Sequence, residues 1–451
     1  MKPARLNDLT EGPIFKTLFL YSLPIIFTNL VQLLFHAADT TILAIMTTDA
    51  AVAAVGACGS IITLLVSLFT GFSTGASVLV ARRMGAKDEQ GVKRATGTAM
   101  LLAVTSGVIL MVFTFFFARR ILILTNCQPE VLDMATTYMV IYFAGMPISM
   151  VYNFAAAILR STGDSVRPMI YINLAGALNV LLNVLFVGAF RLSVTGVALA
   201  TVLSNLVATT LIIIRMLKKD CPCRIEARNL RFHKEELSGI VSVGVPTCLC
   251  SIFFFVANVI LQSQVNSMGT EAMTANAISG QFDGAIYTVG CAIAIATSAV
   301  VGQNMGARRP DRMKKAIRVS LLYATAVSLS LGTLFVLLSE PLLGILTDSE
   351  TVLAIAKSRM TLLCLTYFIT TAMEVFAFSL RTIGYQRTTM FVGAICGLGI
   401  RAFWAYVIWP RYPTLPMLYA CFGISAGIAC LIYLVVYRKA MKKIEARIAA
   451  T

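Results

Sequence analysis

Long apolar runs follow one another from end to end of this chain, each closed by a short cluster of Lys, Arg, Gly or Pro. They fall near residues 14-43, 51-81, 95-118, 134-159, 168-190 and 193-217, and then near 238-265, 272-303, 316-338, 352-380, 388-409 and 415-437. A helix crossing a hydrocarbon core of ~30 Å needs about 20 mostly apolar residues. Every run has that length, so the pattern predicts an all-α membrane protein of twelve transmembrane helices, with both termini on one side. The first run is too long for a signal-peptide core and has no small-residue cleavage site, so it is expected to be retained.

The two sets of six runs share features at one spacing. Met84-Gly85-Ala86 recurs as Met305-Gly306-Ala307, Leu159-Arg160 with Gly163 recurs as Leu380-Arg381 with Gly384, Ile123-Leu124-Thr125 recurs as Ile345-Leu346-Thr347, and Pro24 recurs as Pro246. Every offset is 221 or 222 residues. The chain is therefore read as a duplication. Because six is even, both halves enter the membrane with the same orientation and form a parallel, pseudo-twofold repeat. The expected organisation is an N-terminal lobe at 1-217, a basic linker containing Pro222 at 218-234, and a C-terminal lobe at 235-451.

Composition supports the membrane reading. The chain is 58% hydrophobic and 13% charged, with a mean hydropathy of +0.82, whereas a soluble protein keeps about a quarter of its residues charged. The net charge of +16 comes from basic residues scattered through short loops, which sets orientation and does not suit nucleic acid. With a cytoplasmic N-terminus, the inside segments hold thirty of the 37 Lys and Arg. The outside loops hold Arg119, Arg120, Arg191, Lys357, Arg359 and Arg411, and Arg401 alone is expected within a span. Both termini are thus assigned to the cytoplasm. The eleven cysteines lie mostly in apolar runs and read as small buried hydrophobes. Cys221 and Cys223 flank Pro222, but with two histidines in the whole chain no zinc set is expected.

Three acids fall at membrane depth: Asp39, Asp283 and Glu374. Buried acids in a bilayer are functional candidates, although any of them can simply be neutralised by a neighbouring helix. Asp39 shares a helix face with His36 and Gln32, three and seven residues earlier, and a carboxylate beside an imidazole can exchange a proton. Asn179 and Asn183, four apart, stack on one face of the fifth span, and Thr201 in the sixth could face them. Such oxygens suit a hard monovalent cation such as sodium, or a proton relay. They also suit plain helix linkage. No phosphate-cradling Gly-rich loop, metal-ligand cluster or nucleophile-base set is present, so neither an ATP motor nor an enzyme is expected, and no cofactor beyond a coupling ion.

Pro24 with Asp39 fifteen residues on, the repeated Met-Gly-Ala turn, the repeated Leu-Arg-x-x-Gly element, Asn179-x-x-x-Asn183 and the run from Gly196 to Thr201 together resemble the multidrug and toxic compound extrusion (MATE) family over nearly the whole chain. The likeness is greatest to the bacterial branch of DinF-like and MepA-like exporters. That resemblance implies two six-helix lobes, alternating access, and antiport of bulky, often cationic compounds against protons or sodium across the cytoplasmic (inner) membrane. It places the cation site of the first half on Asp39, Asn179, Asn183 and Thr201 and an acid of the tenth span on Glu374; Asp283 and Gln32, read from the residues alone, are further candidates for the substrate cavity or a second acidic site. Many relatives carry an acid where this chain has Asn183 and Asn where it has His36. The position matching Asp39 in the second half is Leu261. One carboxylate fewer weakens a sodium site more than a proton site, so proton coupling is expected. The remaining expectations are drug-like small molecules and membrane lipid as partners, no nucleic acid, and a monomer. The alternative is a flippase for a lipid-linked saccharide, which should carry several intramembrane cations.

Overall fold

The computed structural model describes residues 8–125 and 127–449, apart from the side chains of His36 and Ala449. Among the described residues no strand forms, and every expected run is a helix. The helices are α1 (Ile14–Met46), α2 (Asp49–Gly85), α3 (Glu89–Leu124), α4 (Pro129–Ala144 continued by Met146–Ser161), α5 (Val166–Ala189) and α6 (Ser193–Leu217). The second set comprises α7 (Lys234–Ser267), α8 (Thr270–Gly306), α9 (Pro310–Leu337), α10 (Glu350–Thr382), α11 (Gln386–Arg411) and α12 (Leu415–Ala449). Eleven spans are continuous, and α4 makes the twelfth as a pair bent by 49°. The bend has a local cause: Gly145 is the junction and Pro147 follows it, so the second segment begins where a backbone N–H is missing. Its counterpart α10 has Thr366 and Phe368 at those places and runs unbroken.

The duplication is visible in the backbone. After α2 and α8, Lys87 and Arg308 take positive φ angles of 58° and 54°, and the N–H groups of Asp88 and Arg309 reach back to Arg83 and Asn304 carbonyls at 3.0 and 2.9 Å. After α4 and α10, Gly163 and Gly384 take φ of 95° and 103°. The same chain reversal is therefore built twice, which explains the repeated Met-Gly-Ala and Leu-Arg-x-x-Gly elements. Repetition extends to the C-terminal ends of α5 and α11, which loosen into π-helix over Val184–Ala189 and Trp404–Ile408.

Contacts group the described residues into two compact units, one of residues 8 and 27–248, the other of 9–26 and 249–449. The expected halves differ from these units at two matched places. The start of α1 belongs with the second unit, and the linker and the start of α7 belong with the first. The changeovers, at 26/27 and 248/249, are 222 residues apart and lie just beyond Pro24 and Pro246. A proline inside a helix removes one i→i−4 hydrogen bond, which makes these the points where each long helix can leave one packing environment for another.

Within the first unit, the start of α7 lies tightly on α2: a Cβ on Gly71 would come within 2.8 Å of the Cys248 nitrogen, and one on Gly75 within 2.3 Å of the Ile240 carbonyl oxygen. Glu236, almost fully buried, bonds Arg83 at 3.1 Å. The linker is held by His233 N–H donating to Thr98 Oγ1 at 3.2 Å. Within the second unit, Asn304 Nδ2 donates to the Leu9 carbonyl at 3.0 Å and Arg309 to the Thr10 carbonyl at 2.8 Å. Apolar cores form around Ala155, Ile158 and Ile240 in the first unit and around Leu18, Ile317 and Leu380 in the second. The outer faces stay apolar, with Phe115, Phe116, Leu322 and Leu431 exposed, as lipid contact requires.

Candidate functional site

Asp39 lies seven residues before the end of α1, two turns inside the helix. The fifth helix brings Asn179 and Asn183, both buried, against it. Asn183 Nδ2 donates to Asp39 Oδ1 at 2.6 Å. Asn179 fits in two amide orientations. In one its nitrogen donates to the same Asp39 Oδ1 at 2.7 Å and its oxygen accepts from the Thr201 N–H at 3.3 Å. In the other its oxygen accepts from Asn183 Nδ2 at 3.3 Å and its nitrogen reaches Thr201 Oγ1 at 3.5 Å. The first satisfies both amide atoms beside an ionised carboxylate; the second places an oxygen next to Asp39 Oδ1, which is attractive only when Asp39 carries a proton. Asn183 Oδ1 is buried with no hydrogen-bond partner. The four residues Asp39, Asn179, Asn183 and Thr201, separated by up to 162 positions in sequence, thus form one cluster in the first unit.

Gln32 is half-buried on α1 and adds no hydrogen bond to this cluster among the described residues. His36 is helical, but its side chain lies outside the described residues. Tyr138 and Tyr142 of α4, with ring centroids 6.0 Å apart, lie within electrostatic reach of the Asp39 carboxylate. Sequence reasoning missed them, although their i, i+4 spacing puts them on one helix face. An open depression of about 630 Å³ is lined by Met46, Thr47, Thr48, Val187, Gly188, Arg191 and Ser193. Val187 lies one turn beyond Asn183 on α5.

The other two acids are in the second unit, and the two tyrosines that bond them, Tyr367 and Tyr287, meet edge to face with ring centroids 6.4 Å apart. Asp283 is buried in an ion pair: Arg359 donates to its Oδ1 at 2.8 Å and Tyr367 to its Oδ2 at 3.3 Å. Arg359 also donates to Ser279 Oγ at 2.9 Å and covers the Tyr419 ring at 4.3 Å. This corrects the expectation that Arg359 lies in an outside loop and that Arg401 alone is intramembrane. Arg359 lies nine residues into α10, whose first turn is capped by Ser349 accepting from the Val352 N–H at 3.4 Å, and it is 4% exposed. A buried guanidinium needs a carboxylate, and Asp283 is the one it has. Glu374 is half-buried on α10, where Tyr287 donates to its Oε1 at 3.4 Å.

Among the described residues no group of three or more His, Cys, Asp or Glu could hold a metal ion. Cys221 Sγ and Cys223 Sγ lie 3.5 Å apart in the linker. Their shared hydrogen bond lowers the Cys221 thiol from its ordinary value and pushes the Cys223 thiol up.

The MatE family profile matches this chain twice, over residues 24–185 and 246–407. Among curated proteins, the chain is similar to the probable multidrug resistance protein YoeA of Bacillus subtilis (strain 168), 26% identical and covering 96% of this chain and 95% of that one. It is also similar to the multidrug export protein MepA of Staphylococcus aureus (strain NCTC 8325 / PS 47), 23% identical over 79% of each. A solved structure described as the outward-facing conformation of a multidrug resistance MATE family transporter of the MOP superfamily shares the fold, with a TM-score of 0.92, 22% identity, and coverage of 99% of this chain and 100% of that one. Both matched segments begin at the prolines where α1 and α7 change units, and together they take in Asp39, Asn179, Asn183, Asp283, Glu374 and Arg401. The chain belongs to the MatE family of multi-pass membrane transporters, which are not enzymes.

Proposed function

We propose that this protein is a secondary active multidrug exporter that expels bulky, often cationic compounds by alternating access, in exchange for protons. The observation that carries the reading is the Asp39 cluster: one carboxylate inside a span, held by the amides of Asn183 and Asn179. Ionised, Asp39 is stabilised by two N–H donors. Protonated, it becomes a donor, and the Asn179 amide must turn its oxygen towards it. The amide thereby reads the charge on Asp39, and its turn exchanges a bond from the Thr201 N–H for one to Thr201 Oγ1 on α6. Sodium has the unpartnered Asn183 Oδ1 and a single anionic ligand in this cluster, a thin set for a hard cation.

The relatives' printed names, multidrug resistance and multidrug export, support the substrate class. The excess of basic residues in alternate loops supports cytoplasmic termini in a bacterial cytoplasmic membrane. We take the working unit to be a monomer. The flippase reading is weakened by Arg359, whose charge is already matched by Asp283.

The deciding experiment loads proteoliposomes with a fluorescent cationic dye and imposes proton and sodium gradients separately. Efflux driven by a proton gradient alone is expected. Efflux that needs sodium, or no dye movement under either gradient, overturns the reading.

A further inference from the structure

Four arginines are buried among the described residues: Arg215, Arg359, Arg381 and Arg401. Three have an evident source of compensation. Arg215 pairs with Asp220 at 3.0 Å and Arg359 with Asp283 at 2.8 Å. Arg381 lies in the last turn of α10, where the negative end of the helix dipole favours a cation. Arg401 differs from all of these. It lies in the body of α11, is 2% exposed, and makes no ion pair within 4.0 Å among the described residues. Its Nε donates to Ser425 Oγ at 3.3 Å, while its Nη1, buried, has no hydrogen-bond partner.

The surroundings are aromatic. The guanidinium carbon sits 4.0 Å from the Phe422 ring centroid and 5.4 Å from that of Phe254. Phe254 stacks on Tyr287 at 5.9 Å with an interplanar angle of 7°, and Tyr287 donates to Glu374. Glu374 is near enough to interact with Arg401 electrostatically but does not pair with it. Four residues before Arg401, in a π-helical stretch over Gly393–Ile400, a Cβ on Gly397 would meet nothing within 4 Å. A membrane-buried cation with a free N–H and flat aromatic faces beside it lacks one thing, a carboxylate bonded to it.

We infer that Arg401, with Phe254 and Phe422, forms a subsite for the carboxylate of a planar aromatic compound, so that the substrates include aromatic acids or zwitterions and not cations alone. This rests on the exporter reading and specifies its substrate class. A carboxylate would take the free Nη1–H in a charge-assisted hydrogen bond, and the attached ring system would extend over the aromatic side chains. The geometry also predicts a preference for Arg over Lys here, since a planar guanidinium can lie on Phe422 and donate at its edge together, whereas an ammonium cannot do both.

The test uses the full-length protein in phosphatidylcholine proteoliposomes, with anthracene carboxylate, the neutral anthracene carboxamide, and tetraphenylphosphonium as probes. Wild type is expected to bind the carboxylate about tenfold or more tightly than the amide, with transport following the same order. In Arg401→Gln that ratio should collapse to about one, and Arg401→Lys should restore part of it. A wild-type ratio near one overturns the proposal without any variant, which covers the case of a variant that fails to fold. A ratio unchanged in folded Arg401→Gln also overturns it, as does loss of carboxylate binding when phosphatidylglycerol is added, which would assign the site to lipid phosphate. Failure of wild type to transport tetraphenylphosphonium sinks the exporter reading instead, because that cation does not depend on this subsite.

Discussion

The two halves of this chain repeat the same turns but carry different charges at matched positions. In the first half Asp39, Asn179, Asn183 and Thr201 form a carboxylate-amide cluster. At 222 residues further on, the spacing of the two family matches, stand Leu261, Arg401, Ala405 and Gly423. The acid has become a buried leucine, one amide a guanidinium, the other a methyl group. Gln32 has its counterpart in Phe254, one of the two rings that flank Arg401. Tyr138, near Asp39, has its counterpart at offset 221 in Arg359, which neutralises Asp283. Backbone and packing tolerate this exchange because the helix pattern depends on apolar periodicity and the turns on a few special φ angles, neither of which involves these positions. Duplication fixed the scaffold twice, and side-chain substitution then separated the chemistry.

The sharpest way to break the contrast is Asp39→Asn, which keeps shape and removes only the charge. Gradient-driven dye efflux should fall about a hundredfold or more, to background, in a protein that still folds. Efflux equal to wild type would move coupling elsewhere, with Glu374 the next acid to test.

Next in size is Arg359→Ala. It strands Asp283 as an uncompensated buried charge and should cost about 3–5 kcal/mol of stability, read as a lowered thermal midpoint in detergent. Adding Asp283→Asn should recover much of that loss; no recovery would mean that Arg359 acts mainly through its packing on Tyr419.

A smaller and more specific change is Asn183→Asp. It gives the first half a second carboxylate beside the first, so that one of the pair resists ionising and a cation finds two anionic ligands. Efflux should become sodium-dependent, with an apparent sodium affinity raised about tenfold and an optimum at higher pH. An unchanged ion preference in a well-expressed variant would reduce Asn183 to a helix tie.

The smallest effect tests the shared scaffold. Lys87→Gly and Arg308→Gly each relieve a left-handed conformation that costs an L-residue about 1–2 kcal/mol. Each should raise stability by about 1 kcal/mol, and by the same amount in both halves. Unequal shifts would show that the two turns carry different loads despite their matching geometry.

Much of the architecture follows from local pattern. Apolar run length gave the twelve spans, and repeated tripeptides gave the duplication, because a span needs only enough apolar residues and a turn needs only a residue that accepts its φ angle. The i, i+4 spacing of Asn179 and Asn183 and the depth of Asp39 made the first cluster legible before any contact was known. The bend in α4 is signalled by Gly145 and Pro147, whereas Arg359, although inside the run at 352-380, reads as a loop charge until its burial against Asp283 is seen.

What local pattern could not decide was partnership between distant residues. Asp283 and Arg359 are 76 positions apart, and nothing in either neighbourhood names the other; only the packing of α8 against α10 joins them. Pro24 and Pro246 marked soft points in α1 and α7, yet the sequence alone did not reveal that each helix changes packing unit just beyond them, since that choice depends on which surfaces fit Leu18 on one side and Ile240 on the other. Arg401 was visible as a lone cation in an apolar run. Its lack of a carboxylate, and its seat between two phenyl rings, became facts only once the helices were assembled, because burial and charge pairing are properties of what surrounds a side chain and not of the chain that carries it.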